Sequence, residues 1–274
     1  MSDKACVSLQ YYSTFGRWPD FEKPNRFSEK VQVRKLYDRN PLYPILSDKA
    51  AVKDYIMEKQ GPSYIIPTYW LGKNLQEVHW ERIPLPAVVK PTHASAKGRF
   101  IFGEEDIEHL LDNDPSESWI GLNHFDVGRE WAYSQIEGQI IIEKMLLIDQ
   151  EIPWDYRFYV FDGKVKLVEI DMRLDGLAYH CYYSPDWNRL SVSSEDEQSR
   201  AYPYDVPRPA RYEEMCQLAE SLVEEIDFAR VDLYTNDEWI HVGEITLYPA
   251  AGYEVFDPGD FDVQLGSFWN QRLY

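Results

Sequence analysis

Three side chains near the C-terminus have the types and spacing to hold a divalent cation against phosphate. They are Asp232 in FARVDLY (228–234) and Glu244 and Thr246 in IHVGEIT (240–246). Alternate side chains of a strand share a face, so Arg230, Asp232 and Tyr234 point one way while Val231 and Leu233 point the other. An odd-numbered loop between the two strands sets Val242 opposite Asp232 and brings Glu244 and Thr246 onto the same face as diagonal neighbours. Mg²⁺ asks for one or two carboxylates and takes water and phosphate oxygens at its remaining positions. An ordinary solvated acidic face would carry the same residues, so this set needs support from elsewhere in the chain.

Lys90 offers that support. It closes the apolar run Ala87–Val89 and precedes PTHASAKG (91–98), whose small residues let backbone N–H groups approach an anion. A lysine snorkelling from a strand end is the plain alternative. Glu143, Lys144, Met145 and Leu146 follow QIII, where exposed backbone groups can pair with the edge of a planar base and Met can cover its face. Asp155 and Arg157 share one strand face, a carboxylate suited to ribose hydroxyls and a guanidinium suited to phosphate, or simply a surface ion pair. His93 is expected to be a solvated loop imidazole. The D-F-D of 260–262 lies in a Pro- and Gly-flanked acidic stretch and is read as solvated. Neither GxxxxGK[ST] nor a strand-linked GxGxxG occurs, which excludes P-loop and Rossmann readings.

The elements that must position these residues mix strands and helices without βαβ alternation, which predicts an α+β class with mostly antiparallel sheets. Ser47 is expected to cap a helix through Lys59 that stops at Gly61-Pro62. Hairpins are expected at Ala87–Lys90 with Arg99–Phe102, at Tyr156–Phe161 with Lys164–Asp171 across an Asp162-Gly163 turn, and at Ala229–Tyr234 with Trp239–Glu244. Gln139–Glu143 reads as a strand, Asp106–Leu111 as a helix start, and Tyr212–Ile226 as an amphipathic helix of 3.6-residue period. Residues 1–45 show no sustained period and read as a lead-in segment. Residues 113–134 are not placed, and 172–210 read as a long surface excursion.

The chain has 274 residues, 44% of them hydrophobic and 15% aromatic, enough for a sizeable core. Its 28 Lys and Arg against 47 Asp and Glu give a net charge of −19, which argues against sequence-independent nucleic-acid binding and against anionic membranes. The greasiest stretch, IIIEKMLLI (140–148), is too short and too charged to span a bilayer. Cys6, Cys181 and Cys216 lack metal-ligand spacing and read as reduced, which points to the cytoplasm.

Taken together, LSDKAAVKDYI, AVVKPTHASAKG, IIIEKML, DYRFYVFDGKVK, ARVDLY and VGEITLYPAAGYEVF, spread over Leu46 to Pro258, resemble the ATP-grasp superfamily and within it the TupA-like branch of teichuronopeptide biosynthesis. The resemblance implies an ATP-grasp fold, two α+β subdomains clamping ATP, with a small subdomain and flap in 46–145 and the metal site in 146–274. It implies ATP and Mg²⁺ as cofactors. Lys49 and Lys90 then correspond to phosphate-contacting lysines, and Thr92–Gly98, including Ser95, to a mobile flap. Glu143, Lys144 and Leu146 correspond to the adenine hinge, Asp155 to the ribose acid, Arg157 and Arg230 to anion contacts near the transferred phosphate, and Asp232, Glu244 and Thr246 to the metal set. Thr246 stands where many such ligases carry Asn, the flap is Gly-poor, and residues 1–45 replace a full α/β domain. The implied activity is carboxylate-amine ligation through an acyl phosphate, joining a small-molecule, glycan or peptide carboxylate to an amine such as an amino acid. A cell-surface glycosyltransferase and a non-catalytic nucleotide-binding protein are the alternatives.

Overall fold

The computed structural model describes residues 1–95, 97–195 and 199–273. Helices α1 (Asp3–Phe15), α2 (Phe27–Tyr37), α3 (Leu42–Ser47) and α4 (Ala51–Gln60) lead into strands β1 (Thr68–Gly72), β2 (Ala87–Pro91) and β3 (Arg99–Ile101). Helices α5 (Glu104–Asp112), α6 (Ser116–Ile120) and α7 (His124–Gly128) precede β4 (Ile140–Lys144). Then come β5 (Asp155–Phe161), β6 (Lys164–Leu174), β7 (Leu177–Tyr183), β8 (Ser193–Ser194), β9 (Ser199–Ala201) and α8 (Tyr212–Leu222). The chain continues through β10 (Phe228–Thr235), β11 (Ile240–Thr246), β12 (Phe256–Asp257) and α9 (Phe261–Ser267). Strands β1-β4-β2-β3 form a small antiparallel sheet, and β11-β10-β5-β6-β7-β9 form a larger one that is antiparallel except between β7 and β9. The expected α+β class with mostly antiparallel sheets is the observed one.

Alternation explains how each sheet divides its residues. In the small sheet Ala87, Val89, Ile140 and Ile142 join Leu110 of α5 and Trp119 of α6 in a local core, which leaves Val88, Lys90 and Glu143 for the opposite face. One face of the large sheet is divided along the strands. At one end Tyr159, Phe161 and Phe228 pack with Phe27 of α2 and with Trp269. At the other end the same face carries Asp155, Arg157, Arg230 and Asp232. Apolar burial thus fixes the strands, and the charged end is held rigid by the greasy one.

The hairpin of β5 and β6 turns at Asp162 and Gly163, with φ of 46° and 73°, the left-handed pair that the dipeptide promised. Elsewhere the structure differs from expectation. Residues 1–45 hold three helices, and α2 is buried on two sides. Its Arg34 guanidinium is sealed in the core, donating to Phe228 O at 2.8 Å and Leu247 O at 3.2 Å and pairing with Asp227, over the Trp269 ring. A helix wrapped in this way need not show a single apolar stripe, so the period was absent. Asp48 and not Ser47 caps α4, its Oδ1 accepting from the N–H groups of Ala50 at 2.7 Å and Ala51 at 3.0 Å. Strand β1 had no reading, and 113–134 contain the short helices α6 and α7. Within 172–210, strand β7 belongs to the large sheet and buries His180, Tyr182 and Tyr183, because its Cys, His and Tyr residues pair with β6.

Candidate active site

The charged end of the large sheet depends on two β-bulges. The loop joining β10 and β11 is even-numbered, since Thr235 faces Ile240, so an unbroken ladder would set Gly243 opposite Asp232 and turn Glu244 away. Gly243 is instead an extra residue between the Leu233–Val242 and Asp232–Glu244 pairs. The expected Asp232–Val242 register is therefore corrected: Glu244 stands directly across from Asp232 and Thr246 across from Arg230. A Cβ on Gly243 would lie 2.7 Å from Cε2 of Tyr234, so the close approach of that ring requires glycine. Lys166 is the matching extra residue in β6, and it brings Glu169 opposite Arg157 and Asp171 opposite Asp155. One slipped residue flips every later side chain, and bulges beside sites use that to re-aim them.

The result is a lattice of opposite charges. Arg230 Nε donates to Asp232 Oδ1 at 2.7 Å and its Nη2 to Oδ2 at 2.6 Å, while Nη2 reaches Glu244 Oε1 at 3.4 Å and Thr246 Oγ1 at 3.5 Å. Arg157 lies 3.1 Å from Asp155, 2.9 Å from Glu169, 3.1 Å from Asp171 and 4.0 Å from Asp232. Burial raises the Asp232 carboxyl above the usual carboxylate range, Arg230 opposes that shift, and the neighbouring charges of Asp155 and Glu244 add to it. Partial burial also raises Glu244, but the charges of Lys49 and Arg230 outweigh it and hold that carboxyl down to about 2. Glu244 is the more open of the two, its side chain 39% exposed against 2% for Asp232.

Between the sheets lies a cleft of about 270 Å³ lined by Lys90, Glu143, Lys144, Met145, Leu146, Asp155, Tyr234 and Glu244. Early lysines and late acids therefore meet at one hollow. Lys49 Nζ is 3.8 Å from Glu244 and donates to Ala94 O at 2.9 Å. The Glu143 carboxylate lies between Lys90 and Lys53, with Lys53 Nζ at 2.8 Å. Burial alone would raise it, yet the two ammonium charges keep it below the usual carboxylate range. In the hinge, the Lys144 N–H donates to Pro67 O at 2.9 Å and Met145 N–H to Pro86 O at 3.3 Å, while the Leu146 N–H has no backbone partner among the described residues. Asp155 accepts from Arg157 Nε through Oδ2, while its buried Oδ1 has no hydrogen-bond partner among the described residues.

Asp232 and Glu244 form a pair and not a cage. Among the described residues no group of three His, Cys, Asp or Glu is placed to hold a metal. A pair fits Mg²⁺, which leaves its other positions to water and phosphate. The Thr246 hydroxyl donates to Glu244 Oε1 at 3.1 Å, so it steadies that carboxylate.

Not every expectation is met. Ser95 is exposed and lines neither the cleft nor the cavity beyond it, and Ala96 of the flap lies outside the described residues. Thr92, His93 and Ala94 are buried, so the start of the flap is anchored. Thr92 Oγ1 donates to Asp48 at 3.2 Å, and His93, expected in solvent, lies against Leu122 O at 3.2 Å. Asp262 is likewise buried and not solvated, accepting from Ser28 N at 2.8 Å and Ser28 Oγ at 2.6 Å. Lys53, Glu169, Asp171 and Tyr234 had no role assigned. Lys53 could have been found one helical turn after Lys49, whereas Glu169 and Asp171 were hidden by the Lys166 bulge. The three cysteines are unpaired, and no described helix is long and apolar enough to cross a membrane.

Comparison with known proteins gives one family match. A family model described as TupA-like ATPgrasp matches residues 29–269. No curated protein matches the chain. Among solved structures, a D-alanine–D-alanine ligase from Bacillus anthracis is 16% identical, covering 77% of this chain and 60% of that one at a TM-score of 0.48. The corresponding ligase from Helicobacter pylori is 12% identical, with 90% and 68% covered and a TM-score of 0.49. A phosphoribosylamine–glycine ligase from Thermotoga maritima is 12% identical, with 82% and 55% covered and a TM-score of 0.47. The chain thus spans 60% of the length of the Bacillus anthracis enzyme.

Proposed function

Because the chain belongs to the TupA-like ATP-grasp family, we propose that it is an ADP-forming ligase that joins a carboxylate to an amine through an acyl phosphate. The observation that carries this reading is the shared hollow: Lys90 and Glu244, from different sheets, line one cleft together with the hinge residues and Asp155. In this reading the adenine lies against Met145 and Leu146, and a ribose hydroxyl meets the orphaned Oδ1 of Asp155. Lys49 and Lys90 take phosphate oxygens, Lys90 exchanging part of its bond to Glu143 for the nucleotide.

Phosphoryl transfer asks a protein chiefly for alignment and charge neutralisation. Mg²⁺ held by Glu244 and Asp232, with Thr246 behind them, would neutralise charge on the transferred phosphate. Arg157 is held by its carboxylate partners before substrate arrives and is placed to orient the acceptor carboxylate and the acyl phosphate, whereas Arg230, bonded to both oxygens of Asp232, would yield part of that bond to the metal and turn toward the same groups. The domain division we propose sets the small sheet, within 46–145, on one side of the nucleotide and the large sheet, within 146–274, on the other, with the helices of 1–45 packed on the latter. Release of ADP across a panel that crosses carboxylates with amines tests the activity. ADP release that requires one member of each class supports it, with Asp232→Asn slower by on the order of 10²–10³-fold. Normal turnover of that variant, or hydrolysis of a nucleotide sugar without ATP, contradicts it.

A further inference from the structure

Beyond the nucleotide cleft the large sheet borders a second cavity of about 500 Å³, lined by Arg157, Glu169, Asp171, Arg230, Tyr253 and Glu254 among others. Most of its charges are already matched. Arg230 is held by Asp232, and Arg157 by its carboxylates, which include both Glu169 and Asp171. Glu169 also accepts from Tyr159 Oη at 2.8 Å. Glu195, on the rim, is exposed. Glu254 is different: it is part-buried and, among the described residues, makes no ion pair. Its partner is the hydroxyl of fully buried Tyr182, which donates to Oε1 at 2.8 Å and fixes the carboxylate in place. Burial and the charge of Glu169 raise the Glu254 carboxyl above the usual range, against the smaller opposing pull of the Tyr182 hydroxyl and of Arg230 and Arg157.

The segment that delivers Glu254 is itself held under strain. Ala250 and Ala251 have φ of 45° and 52°, a left-handed conformation that crowds a residue carrying a Cβ. Two buried side chains of α2 over-determine it. Gln32 Nε2 donates to Ala251 O and Gly252 O, each at 3.0 Å, and Lys35 Nζ donates to Ala251 O at 2.8 Å. Strain maintained by buried clamps beside a cavity is the pattern of a functional wall.

We propose that Glu254 is the residue that recognises the amine substrate, receiving it as a primary ammonium ion in the cavity that Arg157 and Arg230 share. A carboxylate without a counter-ion repels the acceptor carboxylate and phosphate, whereas an ammonium supplies both the missing charge and N–H donors. The volume suits a small amine. The identification of this ammonium as the co-substrate rests on the ligase reading.

Two probes separate charge types: glycinamide, which carries an ammonium and no carboxylate, and N-acetylglycine, which carries the reverse. Titrated by NMR into the full chain, glycinamide should bind with Glu254→Gln weakening it by on the order of 10- to 100-fold. N-acetylglycine should be unaffected by that change. Glu254→Asp and Tyr182→Phe, with thermal melts recorded alongside, should fall between, and they carry the test if the Gln variant does not fold. Equal glycinamide affinity in wild type and variants, or no glycinamide binding to wild type, overturns the proposal. Calorimetric ATP titration of the same samples keeps the two readings apart, since absent ATP binding counts against the ligase while a Glu254-dependent ammonium site would still register.

Discussion

At the residue scale, Glu143 is the counter-charge that two lysines share. Its carboxylate holds Lys53 and Lys90 together inside the cleft. Replacing it with Gln leaves two ammonium groups without their counter-charge, so Glu143→Gln should cost about 3 kcal/mol of stability at neutral pH. Its folded carboxyl lies below the ordinary range. That contribution is therefore complete above the ordinary carboxylate value and is lost as pH falls through the folded value. Denaturant unfolding should show a constant gap between wild type and variant above about pH 5 that narrows on acidification; a gap that widens in acid contradicts this account. Gly243→Ala is the complementary residue test. The added methyl must push the Tyr234 ring, which lines the cleft between the sheets, so on the proposed reading ATP affinity should drop while the fold loses about 1–3 kcal/mol. Calorimetry on the variant measures both, and unchanged ATP affinity would remove Gly243 from the site.

At the scale of elements, register decided what was legible in the sequence. Alternation correctly gathered Arg230 with Asp232 and Asp155 with Arg157, because each pair lies within one strand. What joined strand to strand was harder to read, since the two bulges at Lys166 and Gly243 shift parity: an isolated glycine within a strand is itself a bulge signal at Gly243, whereas Lys166 leaves no mark in composition. Strand β7 was hidden for a related reason: its buried His180 and Tyr182 are polar residues whose partners come from distant segments. Helix α4 was legible apart from its cap. Asp48 caps that helix and also accepts from Thr92, so one carboxylate ties the helix to the segment that follows β2. Asp48→Ala should therefore cost about 1–2 kcal/mol and lower protection of the Ala50, Ala51 and Thr92 amides together in hydrogen exchange. Loss confined to the helix amides would show that the two elements are independent.

For the whole molecule, the first helices matter more than their irregular sequence suggests. Helix α2 supplies Phe27 and Val31 to the main core, the sealed Arg34, and the Gln32 and Lys35 that clamp the 249–252 turn. A chain beginning at Leu46 should accordingly show no cooperative thermal transition, and a sigmoidal melt from it would contradict the packing described. In a chain of net charge −19, Lys49, Lys53, Lys90 and Lys144 gather at the cleft beside Glu143, Asp155 and Glu244, and on the proposed reading they offer it to a nucleotide. Whether those lysines and the acids of the other sheet act on one triphosphate is settled most directly by a double-mutant cycle on ATP affinity, measured by calorimetry with Mg²⁺ for wild type, Lys90→Met, Glu244→Gln and the double variant. Two groups on one ligand should each weaken binding and show a coupling of about 0.5–3 kcal/mol. Affinities unchanged by either substitution, or losses that add with no coupling, would contradict it.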